Sequence, residues 1–563
     1  MSTETDVLVI GAGVCGALVA QRLALKKHRV VILDAGEIGP PRTTLVGNFV
    51  TASNKTMNSP YKGTEAVNWV PSPDGGNDPY YDQPTPAFKS TYTRRVGGST
   101  WHWRGNVPRF VPADFRLQEL YGVGVDWPLS YEDLEKFYVE AEYELGVSGN
   151  HDEWQDFKGA HRSQPFPMSE IWDCYGDTQV AATINNVTVD GIRLRMMRTP
   201  QARNSQPYDG RPPCAGNSTC DPICPIGAKY DAGVHVRKAI AAGATLHERA
   251  VVTKLGVDAR GQIDKVTYVT WPDQKSDEIR PKLVILAAHA IESPKLLLYS
   301  ANENAPAGVA NSSDCVGRYL MDHLQGQAAG LLPFPVYPFR GPPTTSGIDE
   351  FRDGPFRKRH AAFRMSIGND GWGLVQGPYA TLTSLVRASA QDPPLFGAAL
   401  RKALRHRLTR QFRVSYSSET LPDRNNRITP SQDPKQKDKL GIPKPHISFA
   451  PSDYQYEAFA AGQRVIAQIF KDLVTTETQF PKDPKAYSSA NHIMGTCRMG
   501  TDPKQSVVTP ECRSHDHQNL FIIGSSVFPT AGTANPTLTA LAILLRSLPT
   551  IEGALRPCSG SAP

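Results

Sequence analysis

DVLVIGAGVCGALVAQRLALKKHRVVILDAG, residues 6–36, holds a complete strand, turn, helix and second strand in about thirty residues. Asp6–Ile10 reads as a buried parallel strand, ALVAQRLALKK as a helix, and VVILD as a strand that ends at Asp34. Between the strands, Gly11, Gly13 and Gly16 form GxGxxG, and Asp34 stands 18 residues beyond Gly16. Each glycine has a physical role. Gly11 permits the tight turn, Gly13 lets a pyrophosphate approach the backbone, and Gly16 allows close helix packing. The helix N-terminus favours phosphate charge, and Asp34 can accept a hydrogen bond from a ribose hydroxyl. A lone GxGxxG is a weak signal; with the correct flanking strands and acid it predicts an α/β, Rossmann-like dinucleotide-binding domain.

Around this unit the chain runs to 563 residues, enough for two or more domains. Its hydrophobic fraction of 40% and charged fraction of 21% fit a folded protein, and 47 Pro with 46 Gly predict many ordered loops. The net charge is +6, with basic residues scattered except around Lys402, Arg405, Arg407, Arg410 and Arg413. That patch reads as a solvated helix face or a surface for an acidic partner; no nucleic-acid partner is expected. No apolar run approaches the ~18 residues that span a bilayer. Glu4 and Asp6 stand where a secretory signal carries Lys or Arg, so no export signal of the chain's own is expected.

Further along, YEDLEKFYVEAEYELG predicts a helix, VHVRKAIAAGATLHERAVVTKLGVD a helix followed by strands, and LVILAAHAIESPKLLLYSA a strand then a helix. Residues 331–480 change texture, with Pro-punctuated stretches and alternating runs such as FRVSYSSETL, and read as a mixed, antiparallel-sheet domain. The last hundred or so residues return to motif-dense sequence, with a strand at LFIIG and a helix at TLTALAILLRSL. The expected organisation is α/β, or α+β overall. A discontinuous dinucleotide-binding domain takes 1–330 and 481–563, and a substrate-binding domain takes 331–480.

SSANHIMGTCRMG at 488–500, NLFIIGSSVFPTAGTANPTLTALA at 519–542, GVCGA near the start, VGGSTWHW at 96–103 and VGRYLMDH at 316–323 together resemble the glucose-methanol-choline family of flavoprotein oxidoreductases. The resemblance runs essentially end to end. It implies FAD as the dinucleotide, in keeping with the N-terminal motif, Ala35 and Gly36 after the acid, and the late LFIIGSS strand. It further implies that Gly97, Gly98 and Ser99 allow close backbone approach to the isoalloxazine ring, with Val251 and Val252 near the adenine. Gly524 and Ser525 are expected at the flavin too, although Gly524 stands where many members place an acidic flavin contact. Alcohol oxidation by a flavin needs a base for the hydroxyl proton and an acceptor for the hydride. The resemblance assigns the base to His492 and a hydrogen-bond donor for the same oxygen to Asn535. Asn491 has a weaker claim, because adjacent side chains on a strand point to opposite faces. His323 is a family landmark expected to brace a loop.

CAGNSTCDPICP, residues 214–225, gathers Cys214, Cys220 and Cys224. Spacing alone admits a disulfide clip, a zinc site or an electron-transfer site. With NSQPYDGRPPC and CPIGAKY around it, the loop is most similar to that of the catalytic subunits of bacterial FAD-dependent glucose, fructose and sorbitol dehydrogenases. The resemblance implies a [3Fe-4S] cluster there, with electrons passing to a multihaem cytochrome c subunit. Cys214 is followed by Ala215 where relatives often have a second cysteine, which leaves three thiols unless Asp221 or a distant residue adds a ligand. Zinc sites commonly want four ligands in CxxC pairs, a disulfide would strand one thiol, and ordinary buried cysteines remain the bland alternative. The resemblance also implies a small subunit exported by the twin-arginine route and a location on the periplasmic face of the inner membrane. The expected substrate is a sugar, polyol or sugar acid; Arg364 and the basic patch keep the last of these open. The competing readings are an oxygen-using flavin oxidase with structural cysteines and a non-catalytic FAD-binding subunit.

Overall fold

The structure is a computed structural model that describes residues 3–53, 55–56, 59–61, 81–82, 88–372, 377–387 and 393–556. The opening unit forms as its sequence predicts: β1 (Thr3–Ile10), α1 (Val14–Leu25) and β2 (Val30–Leu33). β1 is central in a seven-stranded sheet because its apolar residues Val7, Leu8, Val9 and Ile10 are buried, as a strand covered on both faces requires. β2 and Ser276–Leu286 flank β1 in parallel, and Thr245–His247 extends the sheet beyond β2. Ile263–Thr270 and Ala250–Val257 continue the other side as an antiparallel meander. Leu520–Ile522 returns from far along the chain to pair in parallel with Val284–Leu286. Helix Pro536–Gly553 follows, with a nearly continuous run of buried residues from Leu538 to Leu545.

A second seven-stranded sheet is antiparallel throughout. Its path runs Thr476–Gln479, Leu324–Leu331, Gln411–Ser418, Phe363–Gly368, Ser346–Ile348 and Met196–Arg198, with Ser488–Ser489 pairing onto Leu324–Leu331. Helix Asp453–Asp472 covers one face. Its buried residues recur at helical spacing through Ala458, Phe459, Val465, Ile466, Ile469 and Phe470, and they join Ala328, Val414 and Tyr416 in one core cluster. Met196–Arg198, Ser488–Ser489 and all of Leu324–Leu331 but its last residue lie outside 331–480, so the chain crosses between the sheets more often than a simple insertion would. Met196–Arg198 and Ser488–Ser489 are too short to announce themselves in sequence, and Leu324–Leu331 reads LQGQAAGL, an apolar run broken by two glycines and two glutamines. The other face of this sheet looks across a cavity toward the first sheet.

Candidate active site

A cavity of about 1040 Å³ runs from the GxGxxG turn to the second sheet. Gly11 has φ +100°, and a Cβ there would meet Ala287 O at 2.6 Å. At Gly16 a Cβ would fall 1.9 Å from Gly11 O, so only glycine lets α1 leave the strand this closely. Gly13 differs: a Cβ there would meet nothing within 4 Å. Its Cα faces open cavity, the kind of cradle a pyrophosphate needs, and Gly98 lies opposite, its own Cβ position 3.5 Å from Gly13 Cα. Asp34 accepts from Ala12 N (2.6 Å) and Gly36 N (2.8 Å), and burial raises its pKa. It therefore first holds the glycine turn, with its remaining lone pairs on the cavity side available to a ribose.

Gly97, Ser99, Val251, Val252, Gly524 and Ser525 all line the same cavity. Several are committed elsewhere by their side chains or backbones. A Cβ on Gly97 would meet Trp101 Nε1 at 2.7 Å, Ser99 Oγ accepts from Thr93 N (3.1 Å), and Ser525 Oγ donates to Ile493 O (2.7 Å). Ser525 thereby braces the segment that carries His492.

His492 and Asn535 meet, although 43 residues separate them: Asn535 Nδ2 lies 2.9 Å from His492 Nε2. Asn535 is the N-cap residue of helix Pro536–Gly553, yet its side chain makes no capping bond and turns to His492 instead. On the other side of the ring, His492 Nδ1 lies 2.8 Å from His323 Nδ1, and His323 Nε2 lies 2.9 Å from Gly532 O. This row fixes where each proton sits. A carbonyl only accepts, so His323 Nε2 carries hydrogen. Burial pushes His323 down to about 4, so it is neutral and its Nδ1 is bare. The hydrogen between the two rings then belongs to His492 Nδ1. Burial, with the neighbouring His323 ring and the Arg364 charge disfavouring a second cation there, holds His492 well below its usual 6.5, so it too is neutral. Its Nε2 is bare, faces the cavity and receives the Asn535 amide. The loop-bracing role expected of His323 is real, but its ring also selects the tautomer of His492. That contact, 169 residues apart in sequence, had no local signal beyond the LMDH motif.

Asp322 positions His492 from the backbone side, accepting from His492 N at 2.8 Å and from Ser90 and Ser489 hydroxyls. Asn491 spends its Oδ1 on Thr91 N (2.8 Å), in keeping with its weaker claim to catalysis. Opposite the pair, the second sheet presents Gln325, Gln327, Arg364, Ser366, Arg413, Ser415 and Ser417. They come from alternate positions on three strands, as a pleated sheet with one face on a cavity requires. The arginines already face carboxylates. Arg364 Nε lies 3.1 Å from Asp349, Arg413 pairs with Asp370, and Arg104 lies 3.1 Å from Asp370 and 3.6 Å from Asp221. The basic patch read from sequence therefore divides. Arg413 belongs to the cavity wall, whereas Lys402 and Arg405 lie on helix Gly397–Arg410, which has no buried residue.

Behind the turn at Gly98–Trp101 lies the cysteine loop. Cys214, Cys220 and Cys224 are free thiols, as are the other described cysteines; Cys558 falls outside the described residues. Cys214 Sγ accepts from Gly216 N at 3.4 Å. Burial works to raise Cys224, but backbone N–H bonds from Lys229 and Ile226 and the charges of Lys229 and Arg203 outweigh it, so its pKa is lowered. Cys220 is raised by burial. Lys229 and Arg203 are each 1% exposed, and among the described residues neither forms an ion pair. Lys229 Nζ donates to Trp101 O (3.0 Å), Trp103 O (2.5 Å) and Cys220 O (2.7 Å). Arg203 donates to Gln201 Oε1 and to Arg104 O (3.1 Å), and its Nε has no partner. Buried Asp221 offsets Lys229 only in part, so two buried cations beside these thiols fit an anionic, thiolate-bound group. Among the described residues no three His, Cys, Asp or Glu side chains converge on a single ion, and a cluster instead spreads its thiolates over separate irons. Sequence reading missed Lys229 and Arg203, although the lysine stands in the CPIGAKY motif.

Two family models described as GMC oxidoreductase match the chain, an N-terminal one at residues 179–325 and a C-terminal one at 422–543. Over 565 aligned positions it is 36% identical to the fructose dehydrogenase large subunit of Gluconobacter japonicus, covering 99% of this chain and all of that one. It is 27% identical to 2-methyl-1,2-propanediol dehydrogenase of Mycolicibacterium austroafricanum, over 97% of this chain and 94% of that one. With the gluconate 2-dehydrogenase flavoprotein of Pantoea cypripedii the identity is 24%, over 95% and 91%. A crystal structure of pyridoxine 4-oxidase from Mesorbium loti superposes with a TM-score of 0.62 at 18% identity, covering 98% of this chain and 99% of that one, and supports the fold alone.

Proposed function

The chain belongs to the GMC oxidoreductase family, and from that membership we propose that it is the catalytic subunit of a dehydrogenase oxidising a CH–OH group of a sugar, polyol or sugar acid. FAD, the cofactor of this family, supplies the hydride acceptor. Gly11, Gly13, Gly16, Asp34, Gly97, Gly98, Ser99, Val252, Gly524 and Ser525 are the residues that would hold it. The observation that carries the reading is the bare Nε2 of His492 beside the Asn535 amide, 2.9 Å away.

One acceptor and one donor side by side complement a hydroxyl. The substrate hydroxyl takes the place of the direct Asn535–His492 bond: its O–H donates to His492 Nε2 while its oxygen accepts from Asn535 Nδ2. As the C–H bond breaks, His492 takes the hydroxyl proton, and the Asn535 donor stabilises the negative charge that gathers on oxygen. His323 Nδ1 accepts from the resulting imidazolium, so the new charge is not left unpartnered in a buried site. The polar side chains of the second sheet supply hydrogen bonds for the remaining hydroxyls.

Cys214, Cys220 and Cys224 would hold a [3Fe-4S] cluster, which takes up electrons one at a time; this favours a dehydrogenase over an oxidase. The reading extends to a cytochrome c subunit as acceptor, a small export subunit, and the periplasmic membrane face. Support for a larger assembly comes from a relative named as a large subunit. Among the described residues no helix is long and apolar enough to cross a membrane. Mixing His492→Ala with neutral sugars and polyols under anaerobic conditions tests the central claim: substrate-driven flavin bleaching disappears while FAD content is kept. Bleaching at the wild-type rate would overturn it.

A further inference from the structure

Lys229 joins two parts of the molecule that the proposed reaction needs in register. Its ammonium is shared among Trp101 O and Trp103 O on the turn behind the cavity and Cys220 O on the cysteine loop. Its backbone N–H also works to lower the pKa of the Cys224 thiol. A second link runs beside it, where Tyr61 stacks on the cavity residue His102 with ring centroids 4.5 Å apart and donates to Pro222 O at 2.7 Å. Arg203 adds another buried cation near Cys220 and Cys224. Burying two cations is costly in an apolar interior, and the buried Asp221 carboxylate offsets that only in part, since burial still holds Lys229 down at about 8. Three thiolates on an iron-sulfur core would supply further negative charge.

We propose that Lys229 and Arg203 are positioning residues that set how readily the cysteine site accepts an electron, Lys229 also tying that site to the cavity turn. The proposal rests on the [3Fe-4S] reading above. Each electron that arrives adds one negative charge to the cluster, and one electron leaves the reduced flavin. The flavin's two electrons leave in two such transfers and pass on to an external one-electron acceptor. A fixed positive charge beside the thiolates stabilises the reduced form, so removing it moves the midpoint potential negative. Neither residue touches the substrate pair, so the effect should be read at the cluster.

The test uses the purified enzyme with its cofactors, iron and labile-sulfide analysis, EPR of the oxidised protein and a redox titration. Lys229→Met is expected to keep its iron and its EPR signal while the cluster's reduction constant falls on the order of tenfold or more, the scale expected for losing one partly screened charge. Lys229→Arg, which keeps the charge, should recover most of that loss, and Arg203→Gln should fall in the same direction. A Lys229→Met enzyme that retains its cluster at the wild-type potential overturns the proposal. If the neutral variants lose iron, the charge-keeping pair Lys229→Arg and Arg203→Lys decides: retention supports the proposal, and loss overturns it in favour of shape alone. Wild-type protein with fewer than about two irons per chain and no signal overturns the cluster reading itself, a failure distinct from the others.

Discussion

Replacing His323 by Phe removes both of its hydrogen bonds and keeps a ring of similar size in a site that is 2% exposed. His492 Nδ1–H and Gly532 O then lose their partners at 2.8 and 2.9 Å. Without a neighbour to receive its Nδ1 hydrogen, His492 gains by placing the proton on Nε2, the nitrogen that must be bare to accept from substrate. Losing one buried hydrogen-bond acceptor costs about 1–3 kcal/mol. On the tautomer balance that lowers kcat/KM by about 5- to 150-fold. His323→Asn is the discriminating partner, because its Oδ1 stands near the position of Nδ1 and still accepts from His492. It should stay within about fivefold of wild type. Anaerobic stopped-flow bleaching of the flavin measures both, with FAD content and thermal stability as controls on folding. A Phe variant that bleaches at the wild-type rate, or an Asn variant that falls as far as Phe, refutes the tautomer argument.

Because His492 is held well below 6.5, it stays unprotonated as pH falls through that value, so the acid limb of kcat/KM should lie below pH 6.5; a limb above it contradicts the assignment. The same sign governs stability: burial lowers His102 to about 3 and His289 and His323 to about 4. The unfolded chain therefore binds more protons below pH 6.5, and roughly several kcal/mol of stability should be lost on the way to pH 4, read as a fall in denaturation midpoint. Asp370→Asn releases Arg413 and Arg104 toward the cavity, and the ratio of kcat/KM for aldonates over neutral polyols should rise about tenfold or more; an unchanged ratio would mean those arginines do not face substrate. Gly13→Ala should fold normally and lose FAD affinity, whereas Gly16→Ala, with its Cβ 1.9 Å from Gly11 O, should cost about 3 kcal/mol or fail to fold. Equal melting temperatures for the two apo variants would refute that division of labour.

The parts of the fold that were legible in sequence are those in which neighbouring residues make the structure. The turn from Gly11 to Gly16, the strands around it, and the helices at Tyr131–Leu145 and Pro536–Gly553 all follow local periodicity and local sterics. His492 and Asn535 were legible through their motifs, and the geometry adds why they work together. The strand Met196–Arg198, three residues long at a sheet edge, leaves no periodic trace. Lys229 and Arg203 look like ordinary surface residues in a linear reading, because only the packed interior reveals that both are buried beside the cysteine loop and, among the described residues, without a direct ion pair. The same limit explains Arg364: in the sequence its charge points toward a carboxylated substrate, and only the fold sets Asp349 beside it.

The pairing of Leu520–Ile522 with Val284–Leu286 has a consequence for how the molecule comes into being. When the ribosome has made the first three hundred residues, the GxGxxG turn and its strands are present, but the sheet lacks that strand and the cavity lacks the wall from His492 to Ala540. A nascent chain at that stage offers a cofactor only one side of a cleft. The cleft that would retain FAD is therefore completed late, only once nearly the whole polypeptide has emerged.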